Sequence, residues 1–340
     1  MKSPFESARR RSTVAENVLI TAVLEDGTTG YGEASPAGYV TGESPADVLR
    51  AAATVDRHLR SVEVEETANW SRTLHDVPGA GHTLISAVEM ALLDALTQCW
   101  RIPLCVYFGG GGRTVRSDLT VPISTAERAG EIAADAAASG FRSLKIKVGG
   151  ADREADFQRA LAVQRAAPTA AVRLDANQGF AAEEALQFLD RCLQAGIRVE
   201  MMEQPVPRED LPALEHVTAR SPVPVLADEA VVTPRDAVTI AAQGAAHGIN
   251  IKVAKAGLIG ALQIIAIARA AGLKLMLGCM LESTLGIGAS LHLAAGTGAF
   301  EFLDLDSHLL IGEKPDGNPF HQAGDVLTVA ENRMGLGWRP

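Results

Sequence analysis

Two lysines stand two residues apart, Lys145 and Lys147, in the run Ser143-Leu-Lys-Ile-Lys-Val-Gly149. Single acids follow at Asp175, Glu203 and Asp228, then a further lysine at Lys252. Side chains alternate along a strand, so both early lysines share a face, and Leu144, Ile146 and Val148 take the other. Two ammonium groups among apolar neighbours are costly unless anions answer them. Their mutual repulsion would lower the pKa of one, as an amine base needs. The plain alternative is a pair snorkelling at a rim. The acids lie in Arg173-Leu-Asp-Ala-Asn177, Met201-Met-Glu-Gln-Pro205 and Leu226-Ala-Asp-Glu229, each closing an apolar run. Any one could be a helix N-cap. One acid on each of three successive runs, without histidine or cysteine, reads instead as an oxygen ligand set for a hard divalent cation, Mg2+ first and Mn2+ as a substitute. Lys252, in Ile249-Asn-Ile-Lys-Val253, belongs to the next run; Lys255 is a weaker candidate, past that run and expected in a loop. Opposed amines beside a metal-held carboxylate can take a proton from one face of an α-carbon and return one to the other, through an enediolate.

Chemistry of this kind needs elements that bring distant residues together. From Arg116 onward eight short β-like runs appear: 119–123, 144–148, 172–175, 199–203, 223–228, 248–253, 275–280 and 302–306. Ala-rich amphipathic stretches separate them, as in 126–139, 183–195 and 261–271. Such alternation predicts an α/β fold with a barrel of parallel strands, whose active sites form at the carboxyl ends. A doubly wound open sheet would carry a glycine fingerprint after its first strand; Gly109–Gly112 does not fit one and reads as a turn. Before the barrel, Asn17–Leu24 and Thr28–Glu33 flank the turn Glu25-Asp26-Gly27, which predicts an antiparallel hairpin. Helices are predicted over Ser44–Arg60 and His82–Cys99. We therefore expect an α+β capping domain over 1–113, the barrel over 114–310, and a tail, 311–340, that returns to the first domain.

Composition narrows the classes. Of 340 residues, 47% are hydrophobic, enough for a large core. The net charge of −10, from 31 basic and 41 acidic residues, argues against a nucleic-acid binder. The four cysteines form no C-x-x-C pair and read as buried thiols. No apolar run looks long enough to cross a bilayer, and Met1–Arg11 lacks the apolar centre of a signal peptide, so a cytoplasmic enzyme without membrane partners is expected.

Lys145-x-Lys147, Asp175, Glu203, Asp228 and Lys252, in this order, resemble the enolase superfamily, and within it the muconate-lactonizing subgroup. The resemblance covers nearly the whole chain. It implies a (β/α)7β TIM-like barrel under an N-terminal α+β cap completed by the C-terminal tail. It further implies that Asp175, Glu203 and Asp228 hold Mg2+, that Lys147 and Lys252 are the opposed acid/base pair, and that Lys145 tunes Lys147 and touches the substrate carboxylate. No His-Asp pair sits on the late strands, so the mandelate racemase branch fits less well; His292 reads as a helix residue. Phe302-Leu-Asp-Leu-Asp-Ser307 puts Asp304 and Asp306 on one face of the expected eighth strand, and this Asp-x-Asp is similar to that of the dipeptide epimerases, where it binds the substrate's α-ammonium group. Gly278–Ser283, expected on the seventh strand, also resembles the family, with Met280 and Leu281 lining the pocket.

The segment Pro4–Arg10 matches the family's first specificity loop. Arg10 falls where alanyl-glutamate epimerases place an arginine for the substrate's Glu side chain; Arg9 and Arg11 flank it. Tyr39–Gly42 matches the second loop and would give an apolar wall. Only three residues precede Pro4, so either the strand that usually opens the family's capping sheet is expected to be absent, or the true start lies upstream. The resemblance implies a racemase or epimerase acting on amino acid derivatives: a dipeptide epimerase, with L-Ala-L-Glu as first substrate and a homo-oligomer as the family's habit. The rivals are o-succinylbenzoate synthase or a muconate-type cycloisomerase, whose substrates give Asp304 and Asp306 no work, and a barrel retained as a scaffold.

Overall fold

The computed structural model describes residues 5–8, 11–311 and 317–340. Val18–Val23 and Thr29–Ala34 pair antiparallel. Helix Pro45–Leu59 opens on Ser44, whose side chain accepts from Asp47 N while the Asp47 carboxylate accepts from Ser44 N, a reciprocal cap. The expected helix His82–Cys99 has those bounds. Helix Thr67–Asp76 has no counterpart among the helices read from sequence; it is short and buries only Trp70, Ser71 and Leu74. Val48, Val55, Leu74, Leu84 and Val88 form the core shared by these elements.

The second part is an eight-stranded sheet in chain order: β1 (Leu119–Val121), β2 (Ser143–Lys147), β3 (Ala171–Asp175), β4 (Val199–Glu203), β5 (Val225–Ala227), β6 (Gly248–Lys252), β7 (Lys274–Gly278) and β8 (Phe302–Leu303). All neighbours are parallel. β1 and β8 meet where Asp118 N donates to Leu303 O at 3.0 Å and Leu305 N to Ser117 Oγ at 2.7 Å, closing the ring. Alternation then sorts each strand. Met201, Leu226, Met276 and Phe302 form their own cluster, while Leu144, Leu174, Met202 and Ile249 join the large core beneath the helices. The residue two places after each of the first three is Glu203, Asp228 and Gly278, one layer higher and nearer the strands' carboxyl ends.

Several expected strands end early, β7 and β8 with the most consequence for the pocket. β8 stops at Leu303, so Asp304 and Asp306 lie beyond it, and β7 stops at Gly278, so Met280 and Leu281 lie in a loop. After β7 the chain turns toward the hairpin, where Asn17 Nδ2 donates to Leu281 O at 2.8 Å. The absence of any bilayer-length apolar run is also corrected. Helix Val253–Ala271 has 19 residues and a mean hydropathy of 1.5, long and apolar enough by those measures. Within this fold 56% of its most apolar 18-residue stretch is buried. A helix packed between layers is apolar on more than one side.

The tail pairs Phe320–Ala323 with Val326–Val329, and the latter with Thr114–Arg116. It then crosses to the first helices and hairpin: Leu104 N donates to Gly335 O at 2.8 Å, Leu336 N to Asp94 Oδ1 at 2.7 Å, and Trp338 meets Tyr31 edge-on at 5.2 Å.

Candidate active site

Strand register builds the site. Lys147 pairs with Asp175 and Asp175 with Glu203 across the ladder, so three strand ends share one layer. Lys147 Nζ bonds Asp175 Oδ2. Lys145 Nζ bonds Asp304 and stands 3.4 Å from Asp175 Oδ2 and 3.6 Å from Glu203 Oε2. Lys252 Nζ donates to Asp228 Oδ2 at 2.7 Å. β2 and β6 are four places apart in a ring of eight, so Lys147 and Lys252 rise from opposite sides of one mouth. Asp228 lies one residue past β5, held by Gln204 Oε1, which accepts from Asp228 N at 2.9 Å. Gln204 has φ +32°, and Asn177 and Gln178 have φ +42° and +68°. Left-handed backbone thus follows both Asp175 and Glu203, where strain is characteristic of functional loops.

The electrostatics differ from the expectation of one amine lowered by its neighbour. Burial pulls the Lys145 ammonium down, but Asp304, Glu203 and Asp175 outweigh it and hold its pKa well above the ordinary value. Burial and then Asp228 and Glu203 compete in the same way at Lys252, with the same outcome. The amine pushed down is Lys255, by burial and, against the pull of Asp228, by nearby Lys252. Lys255 is not in a loop. It sits in the first turn of helix Val253–Ala271, 1% exposed, with Nζ 2.6 Å from Asp228 Oδ1.

Among the described residues, seven buried carboxyl groups (Asp118, Asp175, Glu203, Asp228, Glu229, Asp304 and Asp306) gather here with five buried basic side chains, Lys145, Lys147, Lys252, Lys255 and Arg173. Burial, then Asp175, pushes Glu203 up to about 8, and burial, then Asp228, pushes Glu229 up to about 7. Among the described residues, no three acidic, histidine or cysteine side chains stand as a ready ligand cluster, because Asp175 and Asp228 are turned onto ammonium groups. The donor chemistry nevertheless suits a divalent cation. Carboxyl groups outnumber basic side chains among the described residues of the site, and Glu203 Oε2 accepts no hydrogen bond although it is buried.

Asp304 and Asp306 meet β1 through Thr120: Thr120 Oγ1 donates to Asp304 Oδ1 at 3.1 Å and Thr120 N to Asp306 Oδ2 at 2.6 Å. Despite burial, Lys145 holds Asp304 well below the carboxylate range, whereas burial and then Asp304 push Asp306 up to about 7. The pocket is lined by both aspartates, the three lysines Lys145, Lys147 and Lys252, Met280 and Leu281, and on the hairpin side by Ser35, Tyr39 and Val40. Arg10 and Arg9 lie outside the described residues. Asn177, Gln204, Glu229 and Asn250 were not read as site residues from sequence, and Lys255 only as a weaker candidate. Their signal was adjacency, since Gln204 and Glu229 directly follow two of the acids. Asn250 Nδ2 donates to Glu203 Oε1 at 2.6 Å, and Asn177 Nδ2 to Glu229 Oε1 at 3.2 Å. His292 sits in helix Thr284–Thr297 with Cys105 N donating to its Nδ1 at 2.9 Å, away from this mouth.

Residues 113–340 match the enolase C-terminal domain-like family. The chain belongs to the enolase superfamily. Among superfamily members, it is 40% identical over 334 residues to an aromatic dipeptide epimerase from Herpetosiphon aurantiacus, covering 97% of this chain and 93% of that protein. It is 38% identical to an L-Ala-D/L-Glu epimerase from Thermotoga maritima, covering 97% and 95%. The superfamily fold is shared with a dipeptide epimerase from Enterococcus faecalis, complexed with Mg and the dipeptide L-Leu-L-Tyr. That crystal structure has a TM-score of 0.92 and 30% identity and covers 99% of this chain and 95% of its own.

Proposed function

We propose that this superfamily member is a racemase-type isomerase, a Mg2+-dependent dipeptide epimerase that inverts the α-carbon of the C-terminal residue by two-base 1,1-proton transfer. One observation carries this reading: two buried amines, Lys147 and Lys252, rise from opposite sides of a pocket whose wall includes Asp304 and Asp306. One amine takes the α-proton from its face while the other delivers a proton to the opposite face, and the roles exchange in the reverse direction. Lys145 reaches toward the substrate carboxylate and steadies charge on the enediolate. Asp306 receives the α-ammonium group, because Asp304 is already engaged by Lys145. Asp175, Glu203 and Asp228 would hold the metal. Bound there, Mg2+ supplies Lewis-acid stabilisation of the substrate carboxylate. The names of the relatives support the reaction class, and the Mg-complexed relative supports the ion.

The segment 1–113, with the tail, acts as the cap that selects side chains. L-Ala-L-Glu is a first substrate if Arg10 reaches the pocket; the described hairpin-side wall, Tyr39 and Val40, equally accepts an apolar residue. A screen of mixed dipeptides in deuterated water tests the proposal. The expected result is one deuterium gained at the α-carbon together with inversion, lost on chelation and restored by Mg2+ or Mn2+. Lys147→Ala should lower inversion by about 10²–10⁴-fold. A complete library with no α-exchange would overturn the reading.

A further inference from the structure

Helix Val253–Ala271 begins directly at Lys252 and is broken at Gly257, where φ is +71° and ψ 173°. Such a break makes a second helix start, whose first N–H groups have no partner in the preceding turn. Helix His82–Cys99 supplies one: Glu89 Oε2 accepts from Ile259 N at 3.0 Å. One turn earlier on the same helix, Ser86 Oγ donates to Val253 O at 2.7 Å. The two contacts bracket the segment that leaves Lys252 and contains Lys255. Ser86 and Glu89 are both fully buried. Gly257 is needed on two grounds: its φ is left-handed, and a Cβ there would stand 2.4 Å from Glu89 Oε2. The opposite amine has a different support. Lys147 is held by the β2–β3–β4 ladder, far along the ring from this helix.

We propose that Glu89, assisted by Ser86, is a positioning residue for Lys252. It ties the segment that follows Lys252 to helix His82–Cys99. Its catalytic readout rests on the epimerase reading; its structural readout does not.

The test uses the full chain with Glu89→Ala and Glu89→Gln. Two quantities are followed for each epimer of a turned-over dipeptide in deuterated water: α-exchange without inversion, and inversion. In Glu89→Ala, inversion should fall by about a hundredfold, the scale of a misplaced catalytic group. The epimer whose proton faces Lys147 should still exchange, within about threefold of wild type. Glu89→Gln keeps an oxygen acceptor for Ile259 N and should recover most of the inversion. Amide exchange at Leu258–Gly260 should lose protection in Glu89→Ala and keep it in Glu89→Gln. Equal losses of exchange from both epimers would overturn the assignment, since a general structural role predicts that. Unchanged inversion or unchanged amide protection in Glu89→Ala would overturn it too. If wild type exchanges no dipeptide at all, the epimerase reading falls by itself. Amide protection then still decides whether Glu89 holds the segment after Lys252.

Discussion

Asp304 and Asp306 share a motif but not an environment. Lys145 neutralises Asp304, while Asp306 faces Asp304 and has, among the described residues, no ion pair within 4.0 Å. A cationic substrate group placed at Asp306 therefore gains most, since an unpaired buried carboxylate is the costlier one. Asp306→Asn should raise KM for a free dipeptide by about 10-fold or more, on the scale of a charge-assisted hydrogen bond. It should also erase the preference for a free dipeptide over its N-acetylated form. Measuring both substrates separates this from loss of fold, which would lower both rates. A lyase acting on a substrate without an ammonium group would be indifferent to this substitution.

At the scale of elements, the site depends on how strands end and what passes beside them. Gly278, the last residue of β7, pairs in register with Lys252. A Cβ at Gly278 would lie 2.8 Å from the Asn250 amide and 3.1 Å from Lys252 Cε. The glycine is the groove in which the Lys252 stem lies. Gly278→Ala should cost about a hundredfold in inversion through displacement of that stem. The stability cost is only about 1–3 kcal/mol, the ordinary penalty of overpacking. Turnover and Tm, measured on the same preparation, check the pair of outcomes. The reciprocal cap at Ser44 belongs to this scale as well: Ser44→Ala should lower stability by about 1 kcal/mol, read from a denaturant midpoint, and leave turnover alone.

Across the whole molecule, buried carboxylates join parts distant in sequence. Glu33 of the hairpin accepts from Ser283 N and from Gly286 N, both at 2.9 Å, at the start of helix Thr284–Thr297. Asp94 accepts from Tyr31 N at 3.0 Å and Leu336 N at 2.7 Å, joining helix, hairpin and tail. Glu89 joins the helix of the first part to the barrel. Burial pushes Glu89 up from 4.5 to about 7, only partly offset by the Ile259 and Leu258 N–H groups. His75 Nε2, 3.8 Å from Glu89 Oε1, is itself pushed down by burial and by His82. The native state thus keeps a proton that the unfolded chain gives up. The stability from this group is full below pH 4.5 and is lost as pH rises through about 7. Glu89→Gln lacks that loss, so its stability relative to wild type should improve by about 3 kcal/mol across this window. Urea unfolding at a series of pH values checks it, and parallel curves for the two proteins would refute it.

The amino-acid sequence by itself determined the ring and which residues its carboxyl end would gather. Period-two alternation in short apolar runs carries strand direction and face, and a closed ring of such runs leaves one end where the residues at their carboxyl ends can meet. Lys145, Lys147, Asp175, Glu203, Asp228, Lys252, Asp304 and Asp306 were legible for that reason. So was helix His82–Cys99, whose apolar spacing is long and unbroken. Only the tertiary structure decided what depends on partners far along the chain. Lys255 looked like a loop residue because the Gly257 break hides the first helical turn, and its burial is set by Asp228 across the mouth. Asp304 and Asp306 looked like strand residues because alternation continues past the point where the ladder stops. The upward direction of the Lys145 and Lys252 pKa values was equally hidden. Repulsion between neighbours two apart can be read from a sequence, but the carboxylates that outweigh it arrive from three other strands and exist as neighbours only when the ring closes.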